Sequence, residues 1–282
     1  MSRISLHAVL LFLLATGATA QSPAGYTYNT ITYPLSILTQ VRAINSSGWL
    51  AGQYTDAAGN THGFTLVSGT FFTVDFPGAV LTQIQSINSS RGVAGTYVDA
   101  AGLTHGFVEI NGNLTTLDVP AAFRTQAYGM NDSGLVVGGY SDATGQHGFI
   151  YNGVTYTTLD LGTENFTVAT GVNDSGQIIG YYVTKVGTQI GFLDTNGKFT
   201  NIQTTNAVTE PLGINASGEI VGITGTESEF MSFVFQNGRF LPVQVNVPSS
   251  FITQAQAINN SGQIVGWFLY NGSPVAGFTA VP

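Results

Sequence analysis

The chain contains no cysteine, which rules out disulfide staples, a lipid-modified cysteine anchor and thiolate chemistry together. Charge is nearly as scarce, with Asp, Glu, Lys and Arg making up 8% of 282 residues and a net charge of −8. Beyond Arg3 the cations are Arg42, Arg91, Arg124, Lys185, Lys198 and Arg239, widely spaced. No basic patch can form from these, so nucleic acid is excluded as a partner, and anionic membrane surfaces with it. Long apolar runs are missing apart from Ala8 to Ala15, which is too short to span a bilayer, so no membrane insertion is expected. That run follows a basic start at Arg3 and precedes Ala18 and Ala20 in the A-x-A pattern of a signal cleavage site. The sequence therefore predicts a signal peptide over 1–20, a short linker over 21–25 and a secreted product, extracellular or periplasmic. The net charge becomes −9 once Arg3 is lost. Tryptophan is limited to Trp49 and Trp267, and no helical period occurs after the leader.

What the chain has instead is one unit written six times. The asparagine of "AINSSG" recurs at Asn45, Asn88, Asn131, Asn173, Asn215 and Asn259, at spacings of 43, 43, 42, 42 and 44. Seven residues after each stands a glycine, at Gly52, Gly95, Gly138, Gly180, Gly222 and Gly266. A phenylalanine follows further on, at Phe64, Phe107, Phe149, Phe192, Phe233 and Phe278. Turn signals divide each unit into four short runs rich in β-branched and aromatic residues, as in "TQAYGMN", "GLVVGGY", "HGFIYN" and "VTYTTLDL". Asn-Gly joins the last two runs, and the Asn-Gly pairs at Asn111, Asn152, Asn196, Asn237 and Asn271 are signals of two-residue hairpins. Four antiparallel strands every 40 to 45 residues describe a β-propeller blade.

The chain ends support ring closure. The last copy stops at "AGFTAVP", after its third strand, while the first segment, "YNTITYP", matches the fourth-strand pattern of "FFTVDFP". The expected fold is thus an all-β, six-bladed propeller of four-stranded antiparallel blades over 26–282, a single domain closed by an N-terminal strand. An open β-solenoid is the alternative. The strand order places the fourth strand outermost and "TQ-x-x-A-I-N" innermost. Small residues at Ala43, Ser86, Gly129, Gly171, Gly213 and Ala257 suit the inner position, where blades converge.

Tandem "GxIVGxY…HGF…FTTLDxP…GIN" units resemble the bacterial extracellular HAF-repeat family over the whole mature chain. That resemblance implies secretion and a propeller-like β fold, and it brings no catalytic or binding residues to carry over. The middle position of the motif is glycine here, as in His62-Gly63-Phe64, and the last three copies lack its histidine.

Histidine and aspartate come and go together among the copies. His62, His105 and His147 occupy a position taken by Ile190, Met231 and Ala276 elsewhere. The outer-strand Asp75, Asp118 and Asp160 give way to Gln203, Asn246 and Thr32, and the turn aspartates Asp56, Asp99 and Asp142 follow the same pattern. Structural hydrogen bonds within each blade explain this co-occurrence. The histidines lie on separate blades, so no transition-metal site and no cofactor is expected. Calcium held by the Asp-Ala-Ala-Gly turns is the alternative, although one carboxylate per turn is few for that ion. No histidine-paired serine nucleophile is visible, and N-x-S motifs fall in turns that favour Asn and Ser anyway.

The expected binding face, by analogy with other propellers, is formed by the loops that lead into the inner strands and those joining second to third strands. It would carry Gln40, Gln83, Gln126, Glu210 and Gln254 around the channel, with Tyr54, Tyr97, Tyr140, Tyr182 and Phe268 beside them. Amides and flat rings suit hydroxylated ligands such as sugars. The sequence thus predicts a non-catalytic, monomeric binding or surface-interaction module for polysaccharide or a cell-surface protein. A carbohydrate-active hydrolase using Glu210, or a purely structural adhesion protein, is the alternative.

Overall fold

Every regular element among the described residues is a β-strand. The structure, a computed structural model, describes residues 26–162, 166–204, 208–226, 230–243, 250–270 and 275–282. The expected signal peptide and linker, Asn246 and the hairpin at Asn271 lie outside them. Strand β1 (Thr27–Ile31) precedes blade one, which comprises β2 (Leu38–Ile44), β3 (Leu50–Thr55), β4 (Thr61–Val67) and β5 (Thr70–Val74). Blade two is β6 (Leu81–Ile87), β7 (Val93–Val98), β8 (Thr104–Ile110) and β9 (Asn113–Leu117). Blade three is β10 (Arg124–Met130), β11 (Val136–Asp142), β12 (Gly145–Tyr151) and β13 (Tyr156–Leu159). Blade four is β14 (Thr167–Val172), β15 (Ile178–Val183), β16 (Gln189–Thr195) and β17 (Lys198–Ile202). Blade five is β18 (Val208–Ile214), β19 (Ile220–Gly225), β20 (Phe230–Gln236) and β21 (Arg239–Val243).

Blade six takes β22 (Ser250–Ile258), β23 (Ile264–Tyr270) and β24 (Ala276–Val281) from the end of the chain and β1 from its start. The register runs antiparallel from Thr27↔Val281 to Ile31↔Gly277, so the first strand covers an edge that would otherwise be open. Each inner strand contacts the next around the ring, and β22 returns to contact β2. The chain is therefore a six-bladed β-propeller, as the repeat arithmetic predicts.

Why the glycine and the phenylalanine recur is a single steric fact. They are direct cross-strand partners in every blade, from Gly52↔Phe64 to Gly266↔Phe278. A side chain at the glycine would collide with the inner strand's carbonyl oxygen, that of Gln40, Gln83, Gln126, Val168, Glu210 or Gln254, and in most blades with the phenylalanine ring as well. The ring covers the bare glycine and is itself fully buried in all six copies, each worth about 1.5–3 kcal/mol of apolar transfer.

Every inner strand also carries a register shift at the same place, which makes Arg42, Gln85, Tyr128, Thr170, Leu212 and Gln256 the extra residues of six equivalent bulges. The next residue is the small one. A Cβ on Gly129 would sit 2.9 Å from the Gly171 Cα, and one on Gly213 would sit 2.6 Å from the Ala257 Cα. Neighbouring inner strands make their close approach there.

Hairpins follow the predicted chemistry with one exception. Asn111-Gly112, Asn196-Gly197 and Asn237-Gly238 have both residues at positive φ, and Ser68-Gly69 makes the same turn in blade one without asparagine. At Asn152 the loop is longer, and the Asn152 side chain accepts from the backbone of Val154 and Thr155. Asn152 itself is not among the positive-φ residues. Its side chain organises a wider loop in place of the two-residue turn.

Candidate functional site

The histidines are built into the blades. Nδ1 of His62 lies 2.8 Å from Asp75 and its Nε2 lies 3.5 Å from Asp56. His105 repeats this with Asp118 at 3.0 Å and Asp99 at 3.4 Å, and His147 with Asp160 at 2.9 Å and Asp142 at 3.3 Å. The two carboxylates sit on opposite nitrogens of one ring, so they cannot converge on a common ion. Asp56 already accepts from the backbone of Ala58 and Asn60 and from the Asn60 amide, and the Asn60 side chain is the first of the causes that bring its carboxyl down to about 2. Burial opposes protonation of His62, but Asp75 and then Asp56 outweigh it and raise its pKa.

The aromatic residues proposed for the ligand face are placed differently. Tyr54 lies flat against Tyr33 with centroids 3.6 Å apart and against His62 on its other side at 5.0 Å. Tyr97 is sandwiched in the same way by Phe76 and His105, and Tyr140 stacks on His147. These three and Phe268 are buried, at 9, 8, 7 and 4% exposure. Tyr182 packs partly buried beside the core of blade four. Both ring faces of Tyr54 and Tyr97 are taken, because the loop residue before Pro34 or Pro77 folds over the strand end. Those two rings keep no open face for a ligand.

The amides do gather near the axis. Gln40 Oε1 accepts from Gln53 Nε2 at 2.9 Å and from Arg42 Nη2 at 3.1 Å. Arg42 reaches back through Nη1 to Gln256 Oε1 of blade six at 3.2 Å, and Gln256 donates to Gln254 at 3.3 Å. Glu210 accepts from Gln189 of blade four at 2.6 Å. Gln83 and Gln126 occupy the equivalent positions in blades two and three and are half-buried.

Electrostatics show that the group converges across the ring. Burial pushes the Tyr128 phenol up, Arg124 and Arg42 oppose this, and Glu210 adds to it. Arg42, Tyr128 and Glu210 stand on blades one, three and five, which can sense one another only over the axis. Burial brings the Arg42 guanidinium down to about 10, and burial raises Glu210 toward its neutral form against the Gln189 hydrogen bond. The Tyr181 phenol is pushed up by burial and then by Glu210.

Among the described residues, five buried side-chain polar atoms have no hydrogen-bond partner: Arg42 Nε, Gln53 Oε1, Thr96 Oγ1, Arg124 Nε and Trp267 Nε1. All five belong to the two inner strands of their blades. Gln53, Thr96 and Trp267 occupy one repeat position and pair directly with Gln40, Gln83 and Gln254, on the same sheet face. Buried groups are normally satisfied, so this concentration on the inner two strands sets that part of the blades apart from the rest of the fold. Sequence reading missed the position because it holds Gln, Thr, Gly, Tyr, Ile and Trp in the six copies. That variability, beside invariant Asn, Gly and Phe, was the available signal.

Around the opposite mouth asparagines link five of the six pairs of neighbouring blades, and the Ser89 N–H to Asp132 bond joins blades two and three. Asn45 Nδ2 donates to the Asn88 carbonyl, Asn131 to Asn173, Asn173 to Asn215, Asn215 to Asn259 and Asn259 back to Asn45, at 2.9 to 3.3 Å. The same asparagines, with Asp132 and Asp174, line a small cavity of about 80 Å³. Asp132 and Asp174 accept backbone N–H groups of Ser89 and Asp132 in the neighbouring blade, so this belt spends its polar groups on holding blades together.

Fold and site together define a six-bladed β-propeller in which polar side chains of the inner two strands gather near the axis, at the end where the inner strands begin. Solved structures with this architecture include the Aleuria aurantia lectin, described with a novel fucose recognition mode. It is 11% identical, covers 90% of this chain and 98% of its own, and has a TM-score of 0.52. AofleA from Arthrobotrys oligospora is 13% identical over 91% of this chain and 87% of its own, with a TM-score of 0.52. The β-propeller domain of the Trilobed protease from Pyrococcus furiosus, described with an open velcro topology, is 10% identical over 88% and 94%, with a TM-score of 0.54. At these identities the likeness is one of fold. No family model matches the chain, and no curated protein matches it significantly.

Proposed function

We propose that this chain is a secreted, non-catalytic binding module that takes part of a glycan into the axial well. The observation that carries this reading is the cluster of unpartnered buried polar atoms beside the amides of Gln40, Gln83, Gln126 and Gln254. Amides both donate and accept, which matches the hydroxyl groups of sugars. A fucose-recognising lectin shares the fold, which supports the architecture as one that can hold sugar, whereas a protease's propeller domain shares it too, so the fold alone assigns no activity. Among the described residues the carboxyl near the axis is that of Glu210, pushed toward its neutral form and hydrogen-bonded to Gln189, whereas glycoside hydrolysis uses a pair of carboxyl groups.

The test is calorimetric titration of the mature protein with a panel of neutral and acidic oligosaccharides, with product analysis of each after prolonged incubation. Saturable binding that Gln83→Ala with Thr96→Ala abolishes, without change in the glycan, is expected. Binding that survives this double substitution removes the axial well as the site, and release of shortened products overturns the non-catalytic reading.

A further inference from the structure

The axis holds two arginines that no carboxylate contacts, because the axial carboxyl of Glu210 is bonded to Gln189 and pushed by burial toward its neutral form. Among the described residues every ion pair joins a histidine to an aspartate, and neither Arg42 nor Arg124 has a carboxylate oxygen within 4.0 Å. Arg42 spends Nη1 and Nη2 on the neutral amides of Gln256 and Gln40 and keeps a buried, unpartnered Nε. Arg124 opens β10 at the mouth of the well, and its Nε is likewise buried without a partner. Both cations act on the single Tyr128 hydroxyl, so they share one region of the axis. In a chain with a net charge of −8, this is a local reversal of sign. A buried cation left unpaired is costly, and a guanidinium matches a carboxylate in charge and shape.

The rim above them is apolar and fixed. Ile37, Val80 and Phe123 recur at equal spacing just before β2, β6 and β10, exposed at 51, 60 and 64%. Each is pinned by a backbone hydrogen bond to the end of the second strand, at Thr55, Val98 and Ser141. Apolar surface beside polar groups suits the C–H faces of sugar rings lying across the mouth.

We propose that Arg124 and Arg42 form a carboxylate-binding locus, and that the glycan bound in the axial well is a uronic-acid polymer lying on the Ile37, Val80 and Phe123 rim. This deepens the glycan reading and rests on it. No covalent step is involved. The carboxylate meets the Arg124 guanidinium, and Arg42 supplies the second positive charge.

The experiment is titration of the full mature chain with trigalacturonate, the neutral galactose trisaccharide of the same linkage, and acetate. Trigalacturonate is expected to bind at least tenfold more tightly than the neutral trisaccharide. Arg124→Gln should erase that preference, bringing the acidic trisaccharide's affinity down to that of the neutral one, and Arg124→Lys should retain part of it. Equal affinity for the acidic and neutral trisaccharides overturns the carboxylate locus but leaves the glycan reading standing. Acetate binding as tightly as trigalacturonate overturns the polymer assignment, and binding of none of the three overturns both readings. An unchanged preference in Arg124→Gln, with Arg42→Gln also without effect, would show that the arginines are not the locus.

Discussion

Replacing Asn173 by aspartate separates the two duties of the repeated asparagine. Its Oδ1 accepts from the backbone of Ser175 at 3.1 Å and of Gln177 at 3.0 Å, which shapes the turn between β14 and β15. Its Nδ2 donates to the Asn215 carbonyl of the next blade at 3.0 Å and to Gln177 Oε1 at 2.8 Å. Aspartate is nearly isosteric and keeps both turn bonds. It loses both donors and sets a charge, in a residue that is 4% exposed, against a carbonyl oxygen. An unsatisfied buried acceptor costs about 1–3 kcal/mol, so Asn173→Asp should lose about 3 kcal/mol at neutral pH. For a domain of this size that lowers Tm by about 6–12 °C. Protonation restores a donor, so the new carboxyl has a folded-state pKa above its unfolded value. The deficit should therefore be smallest below the unfolded aspartate value and should grow as pH rises through the folded one. Asn173→Ala loses all four bonds and should show a deficit relative to wild type that is independent of pH. The assay is urea unfolding followed by fluorescence at pH 4 and pH 7 for both variants and wild type. If Asn173→Asp matches wild type at pH 7, or its deficit is the same at both pH values, the bond between blades contributes nothing and the reasoning fails.

The histidine sets predict a stability optimum. His62 is raised from 6.5, so its contribution is complete below that value and is lost as pH climbs through the folded pKa. Asp56, Asp99 and Asp142 are lowered from 3.8, so theirs is complete above that value and is lost on acidification. Urea midpoints should thus peak between about pH 4 and pH 6.5, and an NMR titration of Asp75→Asn should show the His62 pKa falling; an unmoved His62 would refute the pairing. Phe149→Ala should cost about 3–5 kcal/mol by thermal melting, because the ring is fully buried and covers Gly138. Gly180→Ala adds one methyl group that meets the Val168 carbonyl, and a loss of about 1–3 kcal/mol or more is expected, where a neutral effect would contradict the steric account. Deleting residues 26–34 removes β1 and bares the β24 edge, so the truncated protein should aggregate in light scattering.

The fold was legible because its signals are periodic. One asparagine, one glycine and one phenylalanine per copy fixed the blade count, and the unmatched ends placed β1 beside β24. The role of the asparagine belt was only half visible. A turn explains Asn45 fully at the level of sequence, and nothing local reveals that its Nδ2 reaches Asn88 43 residues away. The covering of Tyr54 and Tyr97 was hidden for a related reason. A ring at a strand end can face solvent or be roofed by a loop, and Tyr33 and Phe76 roof Tyr54 and Tyr97 from outside their own strands. Arg42 and Arg124 are visible in the sequence as two of six widely spaced cations after Arg3. Their convergence depends on a bulge in β2 and on the meeting of blades across the axis, neither of which a linear pattern records.

The two tryptophans allow the most direct test of the axial site. Trp267 borders the well with its Nε1 buried and unpartnered, and Trp49 lies elsewhere, under the guanidinium of Arg91. Single-tryptophan variants, Trp49→Phe and Trp267→Phe, should be titrated with trigalacturonate while emission is followed and binding is measured in parallel by calorimetry. The account predicts a saturable change from Trp267 that tracks the calorimetric isotherm, with Trp49 silent. Saturable binding that leaves Trp267 emission unchanged would contradict it, because the ligand would then lie outside the well.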